Sequence, residues 1–346
     1  MKLSNGLGIQ MGSESSSMSS LIAHAKMVGY YAGVAFGVGY ILVFAGIIAI
    51  TAELLANIPA DEWSIILATV PGWVIATLVC YLIAVILGIV FGASIISNSR
   101  SIRDKGVHLS TVTSSVSIFS FMIIFAAIGS IVMITGSVSM SYYFFGGSSL
   151  VYPILNIVGA ILLLIGFRTY QGKQVESKII GGIMMLISIV LIYIIALRPV
   201  VDIYTGLFGG LSSVWSLTAV PGPLLAQSTL ETVTLLLAAI GAIVLASLTV
   251  EERLRNWMGG VILSVSGILF SIGLLYFNFS AVSRFGNLLS SAVTVRALWV
   301  LFFGFLVLGI AGIIAIVAAC FVLAISAREL SARPAQSTAR SQPPSP

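Results

Sequence analysis

Residues 298–325 read LWVLFFGFLVLGIAGIIAIVAACFVLAI, with no charged side chain and no proline anywhere in the stretch. Lipid offers no partner to a backbone N–H or C=O, so a chain that crosses it must satisfy those groups internally, as an α-helix does within one segment. About 20 apolar residues cross the hydrocarbon core, and this run is longer than that. A β-barrel strand would instead alternate apolar and polar residues over segments of about ten, and no such alternation is present.

Seven further apolar runs of spanning length precede it, at 27–51, 70–96, 112–136, 150–167, 179–197, 229–250 and 258–277. The expected fold is therefore all-α, a polytopic integral membrane bundle of eight transmembrane helices. Composition agrees, since 59% of the 346 residues are hydrophobic and 8% charged, whereas a soluble domain is about 25% charged. Residues 1–26 form a polar, serine-rich N-terminus that does not resemble a signal peptide, so the first apolar run is expected to remain in the mature chain. Residues 327–346, rich in Arg, Ser, Gln and Pro, read as a disordered tail with its arginines near anionic headgroups.

Lys and Arg collect in short cytoplasmic loops, and this orients the bundle. With the N-terminus inside, thirteen basic residues fall on the cytoplasmic side: Lys2, Lys26, Arg100, Arg103, Lys105, Arg168, Lys173, Lys178, Arg253, Arg255, Arg328, Arg333 and Arg340. Only Arg198, Arg284 and Arg296 lie outside, and the C-terminus is then cytoplasmic too. The apolar segment 203–220 could count as a ninth span, but that would change the ratio from 13:3 to 10:6. It reads better as part of a long external loop, 198–228, either interfacial or re-entrant. All five tryptophans, Trp63, Trp73, Trp215, Trp257 and Trp299, fall at span ends or in loops, where the headgroup region favours them.

The packing of such helices depends on small residues, because no hydrophobic force separates helix from lipid. Gly33 and Gly37, and Gly88 and Gly92, have small-x-x-x-small spacing, and Gly260, Ser264, Gly267 and Ser271 line one side of the seventh run. A hairpin pattern also recurs: Val158-Gly159-Ala160-Ile161, a basic loop, then Gly181-Gly182-Ile183; and Ile240-Gly241-Ala242-Ile243, a charged loop, then Gly259-Gly260-Val261. This suggests duplicated two-helix units, with shared packing constraints as the alternative. These hairpins, the Ile/Val/Leu/Gly/Ser-rich spans and the excess of Arg over Lys resemble uncharacterised multi-pass membrane proteins of thermophilic archaea. That likeness is one of composition and transfers no functional residue.

Chemistry is sparse. The span interiors carry no ionisable residue; Glu53, Asp61, Glu62, Asp202 and Glu231 lie at or beyond the outer ends. Intramembrane charge is what marks ion pathways and proton relays. His24 and His108 both fall at the cytoplasmic boundary and are candidates for a shared haem site, because a b-type haem takes axial imidazoles; the bland reading is ordinary interfacial polar residues. Cys80 and Cys320 sit at different depths, which argues against a disulfide or a thiolate metal site. The sequon Asn278-Phe279-Ser280 is a possible glycosylation site. No phosphate-cradling, HExxH or nucleophile-elbow motif is present, and no catalytic constellation is expected. No cofactor is required, with haem or quinone as the alternatives.

The leading expectation is a non-catalytic membrane subunit, an anchor or scaffold in a larger assembly of the respiratory-chain kind, in the cell membrane. A secondary transporter or channel for a neutral or apolar solute is the second. A haem- or quinone-binding electron carrier is the third. Expected partners are the lipid bilayer and other membrane subunits, with no nucleic acid.

Overall fold

A computed structural model describes residues 6–105, 109–136, 150–195, 221–246, 252–290 and 297–331. Its regular elements are all helical: α1 (Gly6–Ala56), α2 (Ala60–Thr69), α3 (Gly72–Lys105), α4 (Leu109–Gly136), α5 (Val151–Tyr170), α6 (Val175–Ile189) continued by a π-helical stretch (Val190–Ile195), α7 (Pro221–Ala246), α8 (Glu252–Ser290) and α9 (Leu298–Ser331). Among the described residues there is no strand.

Seven of these helices are long and apolar enough to cross a membrane: Met18–Glu53, Gly72–Asp104, Val112–Gly136, Pro153–Tyr170, Val175–Ile192, Leu254–Ser283 and Leu298–Arg328. The protein is a multi-pass helical membrane protein. The remaining expected span, 229–250, corresponds to α7, whose described apolar stretch Val233–Ala246 is shorter.

Helix ends depart from the apolar runs in one direction. α1 starts inside the serine-rich N-terminus, α3 runs past 96 to Lys105, and α8 extends 258–277 at both ends. Hydropathy registers only the length within lipid, whereas a helix once nucleated adds one hydrogen bond for each residue it fixes. The loop expected at 198–228 is shortened in the same way, because Pro221-Gly222-Pro223 opens α7. Proline suits a first turn, where its missing N–H would have no partner. Segment 203–220 lies outside the described residues, as do 332–346 of the tail; residues 327–331 still belong to α9. α2 was not expected: Asp61 and Glu62 in its first turn face the positive end of the helix dipole, and Pro71 follows its end.

The packing is the inverse of a soluble core. Its buried apolar residues are mostly alanines, among them Ala32, Ala84, Ala127, Ala160, Ala239 and Ala311, while Leu78, Leu82, Ile86, Val90, Ile161, Ile165, Ile313 and Val317 point outward. Large side chains gain nothing by leaving lipid, whereas small ones let helix backbones approach.

Each long helix packs mainly on its neighbours in the chain: α1 on α3, then α3–α4, α4–α5, α5–α6, α6–α7, α7–α8 and α8–α9, with α9 returning to α1. The contacts form a closed ring. Gly39 of α1 faces Leu308 of α9 and Gly46 faces Leu301, so these two run antiparallel, and the start of α1 and the end of α9, the outer helix termini, lie at one end of the ring. The closure is fastened at both ends. His24 stacks on Phe321 with ring centroids 6.3 Å apart, and at the other end the Ala297 N–H donates to Glu53 Oε2 at 3.0 Å. That carboxylate meets the positive N-terminus of α9.

Candidate functional site

The densest polar cluster lies where α3, α4 and α5 meet at the end that carries the termini. Ser94 Oγ and Ser115 Oγ are 2.7 Å apart, Asn98 Nδ2 donates to Ser115 Oγ at 2.6 Å, and Ser94 Oγ is 3.2 Å from Ser114 Oγ. Ser94 and Asn98 are one helical turn apart, so both face α4. Next to them Gln171 Nε2, just beyond α5, donates to Thr113 Oγ1 at 2.6 Å. Then Tyr170 reaches past α6 and donates its hydroxyl to the Ala242 carbonyl of α7 at 2.9 Å. A second, smaller group joins α3 and α4 toward the opposite end, where Tyr81 Oη is 3.0 Å from Ser130 Oγ and Thr77 Oγ1 donates to the Gly129 carbonyl at 3.5 Å.

These groups are neutral, and they bond to one another or to carbonyls of other helices. That arrangement fixes register between helices. None of the groups named carries the charge or the acid–base pairing that proton transfer needs. Among the described residues no group of three or more His, Cys, Asp or Glu is placed to hold a metal ion. Cys80 and Cys320 are free thiols on α3 and α9.

The glycines with small-residue spacing have the following surroundings. Gly37 and Gly92 oppose each other across α1–α3, where a Cβ on either would lie 2.5–2.6 Å from the other's carbonyl oxygen. Gly33 accommodates Ser99, and Gly88 accommodates Phe44. Gly159 faces Ser188 and Ile192, Gly181 faces the α5 backbone at Gly166 and Tyr170, and Gly182 faces Ile243 of α7. Gly241 faces Ile262 and Leu263, Gly259 faces Leu245, and Gly260 faces Ser326 of α9. The stripe Gly260, Gly267 and Ser271 is the α9 contact, against Ser326, Ala319 and Gly312.

The histidines are not brought together by any described contact. His24 is exposed, with Nδ1 2.7 Å from the Ser20 carbonyl of its own helix, which leaves Nε2 as its available ligand atom. His108 lies outside the described residues. Asn278 is inside α8 and 1% exposed, and its amide donates to the Leu274 carbonyl at 2.7 Å. A glycan there would require that helix end to open.

The Ser94–Asn98–Ser115 cluster, the Gln171–Thr113 bond and the Glu53 cap were not anticipated from sequence. The Ser94-x-x-x-Asn98 spacing was a usable signal for the first. No local signal exists for Glu53, whose partner is 244 residues away in the chain. Comparisons of the chain with protein-family models, with curated proteins and with solved structures return no match.

Proposed function

We propose that this chain is a non-catalytic integral membrane subunit, an anchor or scaffold within a larger membrane assembly of the electron-transport kind whose redox centres sit on other chains. The observation that carries this reading is the use of its interhelical polar groups: Ser188, Ser266, Tyr170, Asn98 and Gln171 each spend a hydrogen bond on another helix of the bundle. In the same reading the chain has eight spans with both termini cytoplasmic. Parity supports eight, because α9 runs antiparallel to α1, which an even number of crossings requires. α7 supplies the additional one, being 26 residues long, or about 39 Å at 1.5 Å per residue.

The test is purification in a mild detergent, with identification of every co-purifying chain and cofactor. Stoichiometric partner subunits are expected. A stable lone monomer that carries a neutral solute into liposomes would refute the subunit reading in favour of the second one, a pathway for a neutral or apolar solute.

A further inference from the structure

The seam between α1 and α3 carries a cluster of cations at the end of the ring where the termini lie. α3 is 34 residues long, about 51 Å against about 30 Å of hydrocarbon, so its last turns reach the headgroup layer. There the Arg103 guanidinium lies over the Tyr30 ring of α1, 4.3 Å from its centroid, while its Nε donates to Asp104 at 2.8 Å. Lys26 is one helical turn from Tyr30, and Arg100 is one turn from Asp104. The register set by Gly33 on Ser99 and Gly37 on Ile96 places Lys26 outermost, Arg103 next and Arg100 deepest. Lys26, Arg100 and Arg103 are all exposed, and neither Lys26 nor Arg100 forms an ion pair among the described residues. The formal charge of Lys26, Arg100, Arg103 and Asp104 together is three minus one, or +2.

We propose that this seam is a binding site for the phosphate headgroup of an anionic phospholipid. Cation–π contact with Tyr30 and the Asp104 bond hold the Arg103 fork in place, and its two terminal NH₂ groups remain to engage phosphate oxygens, the geometry that arginine matches bidentately. Arg100 and Lys26 flank that position from deeper and shallower levels. Beside them Tyr31, 51% exposed, lies at a depth between Arg103 and Arg100 and gives the glycerol an aromatic surface. The glycine contacts of α1 and α3 hold the two halves at fixed separation. The site does not depend on whether the chain is a subunit or a transporter.

Native mass spectrometry of the full chain, released from an equal mixture of phosphatidylglycerol and phosphatidylcholine, tests this. The wild type retains phosphatidylglycerol preferentially. Arg100→Gln with Arg103→Gln lowers that retention about 25-fold, at about five-fold for each cation removed. Lys173→Gln with Lys178→Gln, at the α5–α6 turn of the same end, leaves it within about two-fold. Circular dichroism checks that each variant is folded; if the double variant is not, Arg100→Gln alone carries the test with its five-fold loss. Equal retention of both lipids by the wild type overturns the proposal. So does an equal loss in the Lys173/Lys178 variant, which would mean diffuse attraction to the membrane surface, or displacement of the lipid by inorganic phosphate at matched concentration.

Discussion

The α5–α6 and α7–α8 hairpins perform the same packing with the same residues. Gly159 and Gly241 each face the second helix of their own hairpin; Gly181 and Gly259 face back to the first; Gly182 and Gly260 face onward to the next helix in the ring. Seven residues after Gly181 and Gly259 stand Ser188 and Ser266, both buried, and each donates at 2.7–2.8 Å to a carbonyl of the preceding helix, Gly159 in one hairpin and Thr234 in the other. The acceptors are not equivalent: Gly159 is itself the acceptor in the first hairpin, whereas Thr234 stands seven residues before Gly241 in the second, and the glycine pairs differ in spacing, with Gly159 and Gly181 22 residues apart and Gly241 and Gly259 only 18. Equivalent positions with equivalent contacts argue for duplication more strongly than low-complexity likeness does, since shared composition alone would not pair each glycine with the same neighbour.

The two hairpins also differ in what their inward glycines meet, and there the largest effect is expected. A Cβ on Gly181 would meet the backbone of α5 at Gly166 and Tyr170, whereas one on Gly259 would meet the flexible end of Leu245. Backbone cannot yield without moving the helix, so Gly181→Ala should cost about 2–3 kcal/mol by overpacking. Gly259→Ala should cost less than about 1 kcal/mol, because Leu245 can change rotamer. Unfolding of the two variants in mixed micelles measures the difference. Equal losses would break the proposed asymmetry and show that α5 and α6 can separate as freely as α7 and Leu245 adjust.

How much of this was legible beforehand follows from the range of each signal. Helix existence was readable because lipid imposes a length and forbids charge over contiguous residues. The ring was not, because nothing in residues 298–325 says that Leu301 and Leu308 rest on Gly46 and Gly39, more than 250 residues earlier. The helix extensions into residues 6–26 and 278–290 were missed because hydropathy falls where helical hydrogen bonding continues. Asn278 shows the consequence, since a sequon placed just past an apolar run turned out to be a buried position within α8.

A bond between the two hairpins gives the next effect in size. Tyr170, at the end of α5, donates to Ala242 of α7 at 2.9 Å and so joins the first unit to the second. Tyr170→Phe keeps the ring and removes only that hydroxyl, with an expected loss of about 1 kcal/mol. If the hairpins are separate cooperative units, hydrogen exchange should quicken at the α6–α7 boundary while the interior of each hairpin stays protected. A uniform increase across α5 to α8 would instead show that the four helices open as one.

The smallest effect is the most direct test of equivalence. Ser188→Ala and Ser266→Ala each delete one interhelical hydrogen bond at a position that tolerates the smaller side chain, and bonds of this kind inside bilayers are worth about 0.6 kcal/mol on average. Both substitutions should therefore lower stability by that amount and by nearly equal steps. One feature of the second site stands out: Thr234 Oγ1 is buried without a hydrogen-bond partner on the same residue as the Ser266 acceptor, so removing Ser266 takes a bond from a carbonyl next to an already unpaired hydroxyl. A larger loss at Ser266 than at Ser188 in the same unfolding assay would locate the divergence of the two units at Thr234. Equal losses would leave the four-residue difference in glycine spacing as the feature that separates them.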